Sequence, residues 1–565
     1  MTPKILILDS DSSAGLESIQ SLGRLGATIH AAASQPCLAF SSRYVHETTL
    51  HPVASEELAS WISNRHVDQA YDLIVPVTER ALMAFLTPEI SEAAQDRAVL
   101  APSESIRVAL DKEKTRQFAS KLGLLVPHSR MVTKQSSEPT QFPVVLKPVH
   151  SKRVRGGKVE GHVVTIARNL ADWHSALQNT YSDIDVQEQE YVSGKGIGVE
   201  MLFNHGQPCW HFVHERLHEV PLTGGASSYR QAIAAMPYLI EPAGRLLRAL
   251  SWHGAAMVEF KLTGDGTLYL VEINPRLWGS LALGIDAGVN FPAGLLSISL
   301  GLPVPAQPKY RVGYRTRNLA SDLFWMRANL LADHSDPLLL IRPRMVSFLE
   351  YGRPLLGEES WDFFDIHDLG ITFRSVAEVL SEIGKKLAAA MFRRVYGPIQ
   401  SYYLSSIAQK SVLRALSRKR KRSILFLCYG NICRSPLAEA LARVCMPEVQ
   451  VASAGFHERE ARPSPGFMQS VASSLSTDLS AHRSLRVVSR MIDDADVVVI
   501  MDRRNYADMK EKFPRALPKT VFLGMFADPP QLEVEDPYGL SFEDGLRIGG
   551  KISESVKTLA NWMRL

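Results

Sequence analysis

The sequence predicts an α/β protein built from more than one sheet. Three observations predict it. Residues 1–100 alternate short apolar strands with amphipathic helices, residues 255–276 read as a strand hairpin bearing carboxylates, and residues 424–436 read as strand, loop and helix with a thiol at one end of the loop and a guanidinium at the other. A chain of 565 residues has room for about three or four structural units.

The N-terminal rhythm begins with Lys4-Ile-Leu-Ile-Leu-Asp9, a first strand rather than a signal peptide. Ser12-Ser-Ala-Gly15 then opens an amphipathic helix that ends near Gly26, and residues 28–33 and 72–77 are further strands of an open parallel sheet. The loop from Asp9 to Gly15 lacks a full Gly-x-Gly-x-x-Gly, so no dinucleotide site is read there.

In the middle of the chain, Asp111-Lys112-Glu-Lys114-Thr115 opens a helix running toward Gly123. Phe142-Pro-Val-Val-Leu-Lys147-Pro148 is a buried strand with a lysine near its end, and residues 151–158 form a basic turn containing Gly156 and Gly157. Residues 186–194 run from a strand into a turn and include Glu190 and Val192. Residues 255–261 and 269–276 pair around the turn signal Gly264-Asp-Gly266. Glu272 and Asn274 lie two apart and share a face, and the hairpin brings Glu259 to them. Two carboxylates and an amide oxygen suit a hard ion such as Mg²⁺, with Mn²⁺ the other ion of that kind. Lys147 is placed to meet nucleotide phosphates, the glycine pair to close over them, and the stretch from Glu190 to Val192 to offer groups to an adenine edge.

These pieces, in this order, resemble the ATP-grasp superfamily, in particular its carboxylate–amine ligase branch, over about residues 1–310. The resemblance implies a pre-ATP-grasp parallel-sheet domain at 1–105 and an ATP-grasp α+β domain at 106–310. It implies ATP held by Lys112, Lys147, Gly156, Gly157, Glu190 and Val192, and Mg²⁺ held by Glu259, Glu272 and Asn274. Arg276 would hold the transferred phosphate or the acid substrate. The implied reaction phosphorylates a small carboxylic acid from ATP, and an amine then displaces phosphate. Arg216 and Arg230 are the expected carboxylate binders of the 211–230 stretch. His214 and His218 stand four apart, but apolar alternation and a glycine turn indicate strand and loop there, not a zinc site. An alternative of a different class is a nucleotide-sensing ATP-grasp fold without ligase activity that regulates the C-terminal unit.

Ile424-Leu-Phe-Leu-Cys428-Tyr-Gly-Asn431-Ile-Cys433-Arg434-Ser435-Pro436 is the most informative run. Inward N–H groups and a helix N-terminus suit the loop to phosphate, and Arg434 offers a bidentate fork. The same field favours the thiolate of Cys428 as a nucleophile. The run resembles the active-site loop of low-molecular-weight protein tyrosine phosphatases, and the resemblance covers about residues 423–565. It implies a phosphocysteine intermediate, with Asp536 in Glu535-Asp536-Pro537 protonating the leaving group and then activating water. Asn431, Ser435, Cys433 and His482 would support the loop, and Ser453-Ala-Gly455 and Asn505 are further matching pieces. Cys433 could also form a reversible disulfide with Cys428. The substrate would be a phosphotyrosine protein or a small phosphoester, with no cofactor. Two departures stand out: Leu485 occupies the place where the family usually has an arginine after His482, and only Phe456 and Tyr538 offer themselves as an aromatic wall. An arsenate-reductase-like domain shares the fold, but no cysteine follows Cys445 to resolve an intermediate.

Between the two, residues 311–422 read as a ligase C-terminal extension and basic helical linker, with helices at 375–394 and 399–416 that end in Arg418-Lys-Arg-Lys-Arg422. That end is either a solvated basic face or a weak peripheral contact of 375–422 with an anionic membrane or polymer. A net charge of +4 gives no reason to expect nucleic acid as a partner. The five cysteines do not form a secreted disulfide framework, and no apolar run reaches the length of a bilayer span, so the expected location is cytoplasmic.

Overall fold

A computed structural model describes residues 2–381, apart from 134, 149–151, 156–157, 162–163, 182–184, 363, 376 and 378–380, and residues 423–564 apart from 541. Gly156 and Gly157 lie outside the described residues, as do nearly all of the two helices expected between 375 and 416 and the basic run after them. The chain divides into two units, Met1–Glu382 and Ile383–Leu565. Among the described residues, no single helix is long and apolar enough to cross a membrane.

The first unit opens with β1 (Lys4–Leu8), β2 (Thr28–Ala33), β3 (Val45–Leu50) and β4 (Leu73–Pro76), a parallel sheet in the order β3-β2-β1-β4. β1 is central and covered on both faces, which is why Ile5, Leu6, Ile7 and Leu8 are all buried. β3 is an edge strand whose residues alternate between half-buried and exposed, so Val-His-Glu-Thr-Thr-Leu lacks the apolar run that marks its neighbours. Ser12 caps the helix Ser13–Arg24 by accepting the Gly15 N–H at 3.1 Å.

A second sheet follows from β5 (Ser129–Val132), β6 (Val144–Pro148), the hairpin β7 (Lys152–Arg155) with β8 (Lys158–Gly161), β9 (Thr165–Ala167) and β10 (Val186–Glu190). β7 and β8 pair with each other, and the other four run β5-β10-β6-β9. The third sheet is the largest. It comprises β11 (Lys195–Asn204), β12 (Gln207–Val220), β13 (Ala226–Ala232), β14 (Gly254–Leu262), β15 (Leu268–Asn274), β16 (Arg315–Arg317) and β17 (Glu359–Trp361), in the order β15-β14-β11-β12-β13-β16-β17. Period-two alternation sends Ile197, Val199, Val213, Val258 and Phe260 to one face, where they join Leu246, Leu247 and Trp252. The other face places Phe212 and Met257 in the core of the first sheet. Further along the same face stand His214, Arg216, Glu259 and Glu272.

The chain beyond residue 310 completes this sheet. β16 pairs antiparallel with β13, and β17 pairs parallel with β16. A buried ion network fastens it. Arg317, 0% exposed, pairs with Asp322 and donates to Glu359 Oε1 at 2.7 Å, with its guanidinium 3.7 Å from the Tyr229 ring centroid. His218 lies between Asp322 at 2.8 Å and Glu350 at 3.1 Å.

In the second unit β18 (Ser423–Cys428), β19 (Gln450–Gly455), β20 (Val497–Ile500) and β21 (Thr520–Phe522) form a parallel sheet in the order β19-β18-β20-β21. The helices Arg434–Cys445 and Phe542–Arg564 pack together on it through Leu437, Leu441, Ile552, Val556 and Leu559. β18 is central, so its C-terminal end, Cys428, opens at the middle of the sheet edge.

Arg317→Ala would strand two buried carboxylates, a cost of about 3–5 kcal/mol. The expected outcome is a lowered urea midpoint for the transition reported by tryptophan fluorescence, where the buried Trp325 stacks on His218.

Candidate functional site

The loop after β18 closes on the Cys428 sulfur. The Asn431 N–H donates to Sγ at 3.2 Å and the Ser435 hydroxyl donates to it at 3.0 Å. Asn431 adopts a left-handed backbone, φ 51°, a conformation that asparagine tolerates better than most residues. Its side chain fixes that turn. Nδ2 donates to Ser435 Oγ at 3.0 Å and Ser453 Oγ at 2.9 Å, and Oδ1 accepts the Leu485 N–H at 2.8 Å. His482 Nε2 donates to the Asn431 carbonyl at 2.8 Å. Position 485 therefore serves the loop through its backbone, and the absence of an arginine there leaves that bond intact. Gly455 is needed because a Cβ would stand 2.8 Å from the Tyr429 carbonyl and 2.9 Å from the Asn431 nitrogen.

Arg434 opens the following helix and is 3% exposed. Nη1 donates to Asp502 Oδ2 at 2.7 Å and to the Val534 carbonyl at 2.9 Å, and Nη2 donates to Asp536 Oδ2 at 2.7 Å. Burial works against its charge, but Cys428, Asp536 and Asp502 outweigh burial and hold it protonated. Burial, reinforced by Cys428 and Asp536, pushes the Cys433 thiol up and keeps it protonated. Asp502 also caps the helix Arg503–Lys512 by accepting the Asn505 N–H at 2.8 Å.

The expected aromatic wall is corrected in part. Phe456 is buried at 6% exposure in a core cluster with Leu425 and Leu427, which leaves it no face for a substrate, whereas Tyr538 is exposed. Sequence reasoning passed over Tyr429, the residue directly after Cys428. Its ring lies edge-on to His457 and carries the Arg504 guanidinium 3.4 Å from its centroid.

The first unit has a second cluster. Glu259 on β14 stands opposite Glu272 on β15, and Asn274 Nδ2 donates to Glu259 Oε1 at 2.9 Å. Arg216 reaches Glu259 from β12 at 2.5 Å, crossing β11 at Gly196, where a Cβ would lie 2.8 Å from Arg216 Cδ. The His214 ring lies over Gly198, its partner on β11, and bonds Glu200 of that same strand at 2.6 Å. Lys112, at the start of the helix Lys112–Lys121, lies 3.8 Å from Glu272. Burial opposes the charge of both carboxyls. It prevails at Glu259, which sits above the usual carboxylate range, and is outweighed at Glu272 by Lys112, Lys147, Arg216 and Arg276. Burial also pushes Lys147 on β6 down to about 8. Arg276 follows β15 and stands 3.5 Å from Glu79. Glu190 ends β10, and Val192 lies in the connection from β10 to β11.

Two carboxylates and an amide on one face, ringed by lysines and arginines, fit a divalent cation carrying phosphates. His214 and His218 serve other partners, His214 bonding Glu200 and His218 lying between Asp322 and Glu350. Arg230 departs from its expected role as a substrate ligand. It is 1% exposed and its charge is spent on Asp362 inside the sheet's core. Glu200 and Glu219 had no sequence signal: Glu200 meets His214 across the β11–β12 pair, and Glu219 meets Lys261 of β14.

A family model described as low molecular weight phosphotyrosine protein phosphatase matches residues 423–564. Another, described as ATP-grasp in the biosynthetic pathway with Ter operon, matches residues 188–321. The probable low molecular weight protein-tyrosine-phosphatase EpsP of Ralstonia solanacearum is 31% identical over 128 residues, 22% of this chain and 86% of that protein. The solved structure of Vibrio vulnificus Wzb in complex with benzylphosphonate is 26% identical, covers 25% of this chain and 97% of its own, and has a TM-score of 0.24. The L-amino acid ligase of Bacillus licheniformis is 18% identical, covers 53% of this chain and 74% of its own, and has a TM-score of 0.43.

Asn431→Ala deletes three side-chain hydrogen bonds in a buried loop, and inorganic phosphate binding is expected to weaken by about tenfold or more. Calorimetric titration checks this, with circular dichroism as the control for folding.

Proposed function

Because the chain belongs, through residues 423–564, to the low-molecular-weight protein tyrosine phosphatase family and carries an ATP-grasp domain ahead of them, we propose a bifunctional enzyme that hydrolyses phosphotyrosine through a phosphocysteine and ligates a carboxylic acid to an amine at the expense of ATP. The observation that carries the first half is convergence. Two donors lie within 3.2 Å of Cys428 Sγ, and Arg434 lies 2.7 Å from Asp536.

In the first step the Cys428 thiolate attacks phosphorus. The P–S bond forms as the P–O bond to the phenol breaks, and Asp536 gives its proton to the departing oxygen. Arg434 holds two of the phosphoryl oxygens, which requires it to release Asp536 as the phosphate arrives. In the second step the Asp536 carboxylate takes a proton from water, water oxygen bonds to phosphorus, and the P–S bond breaks to return the thiolate and free phosphate. Tyr429 and its Arg504 neighbour would line the entrance for an aromatic phosphoester.

In the ATP-grasp domain, Lys112 and Lys147 would bind the nucleotide phosphates, and Arg276 the transferred phosphoryl group or the acid. Glu259, Glu272 and Asn274 would hold Mg²⁺, which supplies charge neutralisation to the phosphates when bound. Arg216 answers the charge on Glu259 and is placed to exchange partners when a carboxylate substrate enters. The pairing of Glu259 with Glu272 beside Lys112 and Lys147 supports this reading.

Hydrolysis of p-nitrophenyl phosphate tests the phosphatase. Cys428→Ser should abolish turnover, and Asp536→Ala should lower kcat by about 10²–10⁴-fold with a small change in KM. Wild-type protein without turnover would overturn the assignment. For the ligase, ADP release should depend on both an acid and an amine, whereas ATP binding without acid-dependent turnover would favour the nucleotide-sensing alternative. Lys147 is charged below about 8 and neutral above it, so metal-free ADP affinity should fall as pH rises through that value. Lys147→Arg should flatten the profile, because guanidinium stays charged.

A further inference from the structure

The helix Arg344–Glu350 is inside out. Its polar residues face the protein: Ser347 is 0% exposed and accepts from Asn329 Nδ2 at 3.0 Å, and Glu350 is 8% exposed and bonds His218. Its apolar residues face outward, with Met345 at 73%, Val346 at 41%, Phe348 at 56% and Leu349 at 72% exposure. Scattered exposed apolar residues need no explanation, but four within five positions of one helix form a patch that marks a contact. The segment itself is basic. Arg344 lies in the helix, Arg342 two residues before it and Arg353 three residues after it, while Glu350 is turned inward; beyond them Asp336 pairs with Arg168 and Glu358 is exposed. Among the described residues none of these three arginines is in an ion pair.

We propose that this face of the first unit docks on an anionic phospholipid membrane surface, with Met345, Phe348 and Leu349 entering the headgroup–acyl boundary and Arg342, Arg344 and Arg353 meeting lipid phosphates. An apolar helix face flanked by cations is the arrangement that interfacial binding uses, since burial of side chains and attraction to anionic headgroups act together. A soluble anionic polymer would answer the arginines but would give the four apolar side chains nothing to enter. The inference concerns a segment distinct from the basic run at 418–422 and rests on neither proposed activity.

The test is flotation of the full-length chain with vesicles of phosphatidylcholine containing phosphatidylglycerol, and with phosphatidylcholine alone. Wild type is expected to float with the anionic vesicles. The triple variant Met345→Ser, Phe348→Ser, Leu349→Ser is expected to lose about tenfold or more in partitioning, with unchanged melting and unchanged p-nitrophenyl phosphate turnover. A variant with residues 418–422 changed to serine should retain that dependence on the helix. The proposal is overturned if the triple variant floats as well as wild type. It is equally overturned if heparin binding falls in parallel, which would assign the face to a polymer, or if wild type is a dimer that the triple variant converts to monomer, which would assign it to a second copy.

Discussion

Arg434 carries a charge that it cannot give up, and it is 3% exposed. The second unit is arranged to answer that charge. Asp502 does so from the end of β20, where it also caps the next helix, and Asp536 does so from a turn 102 positions along the chain. The turn is carried there by the Val534 N–H, which donates to the Met501 carbonyl at 2.8 Å, while the Val534 carbonyl accepts from Arg434. A single guanidinium thus gathers two carboxylates that lie far apart in the chain.

The same constraint shapes the first unit. Arg216 reaches Glu259 on β14 by lying across β11 at Gly196, and the His214 ring lies over Gly198 to reach Glu200 on β11 itself. A side chain at Gly196 would separate Arg216 from Glu259 and leave a buried charge unpaired, and one at Gly198 would push His214 off Glu200. Glycine in a central strand, ordinarily a weakness, becomes the condition for assembling a charged site on a sheet. Arg317 plays the corresponding part at the far side of the sheet, where it draws residues 315–361 onto β13.

That network has a consequence for the surface. Glu350 and Ser347 must point inward to serve His218 and Asn329, and a helix offers only one inward stripe. The apolar residues between them are thereby sent outward. The exposed patch follows from satisfying buried polar groups first, since an unpaired buried charge costs more than an exposed leucine.

Much of this was legible from residues alone, where a local pattern carries the chemistry. The central strands β1, β6 and β18 are apolar runs, the last two with candidate site residues at their ends, and Asp111 at the head of the helix Lys112–Lys121 is a direct capping signal. The pairing of Glu259 with Glu272 followed from a hairpin turn, and the phosphate loop from its spacing. Tertiary structure decided the rest, for physical reasons that no window of sequence contains. Edge strand β3 has too little burial to write an apolar pattern. Arg216 and Arg230 are cross-strand partners, yet one meets Glu259 on β14 and the other meets Asp362 just beyond β17. Phe456 resembles an exposed aromatic in sequence, but it is β19 that carries it into the core, and the role of Tyr429 emerges only when Arg504 is brought over its ring. Sequence by itself determined which residues could do chemistry; long-range strand pairing decided which of them keep a free face to do it with, because a buried charge must first be neutralised by whatever the fold brings beside it.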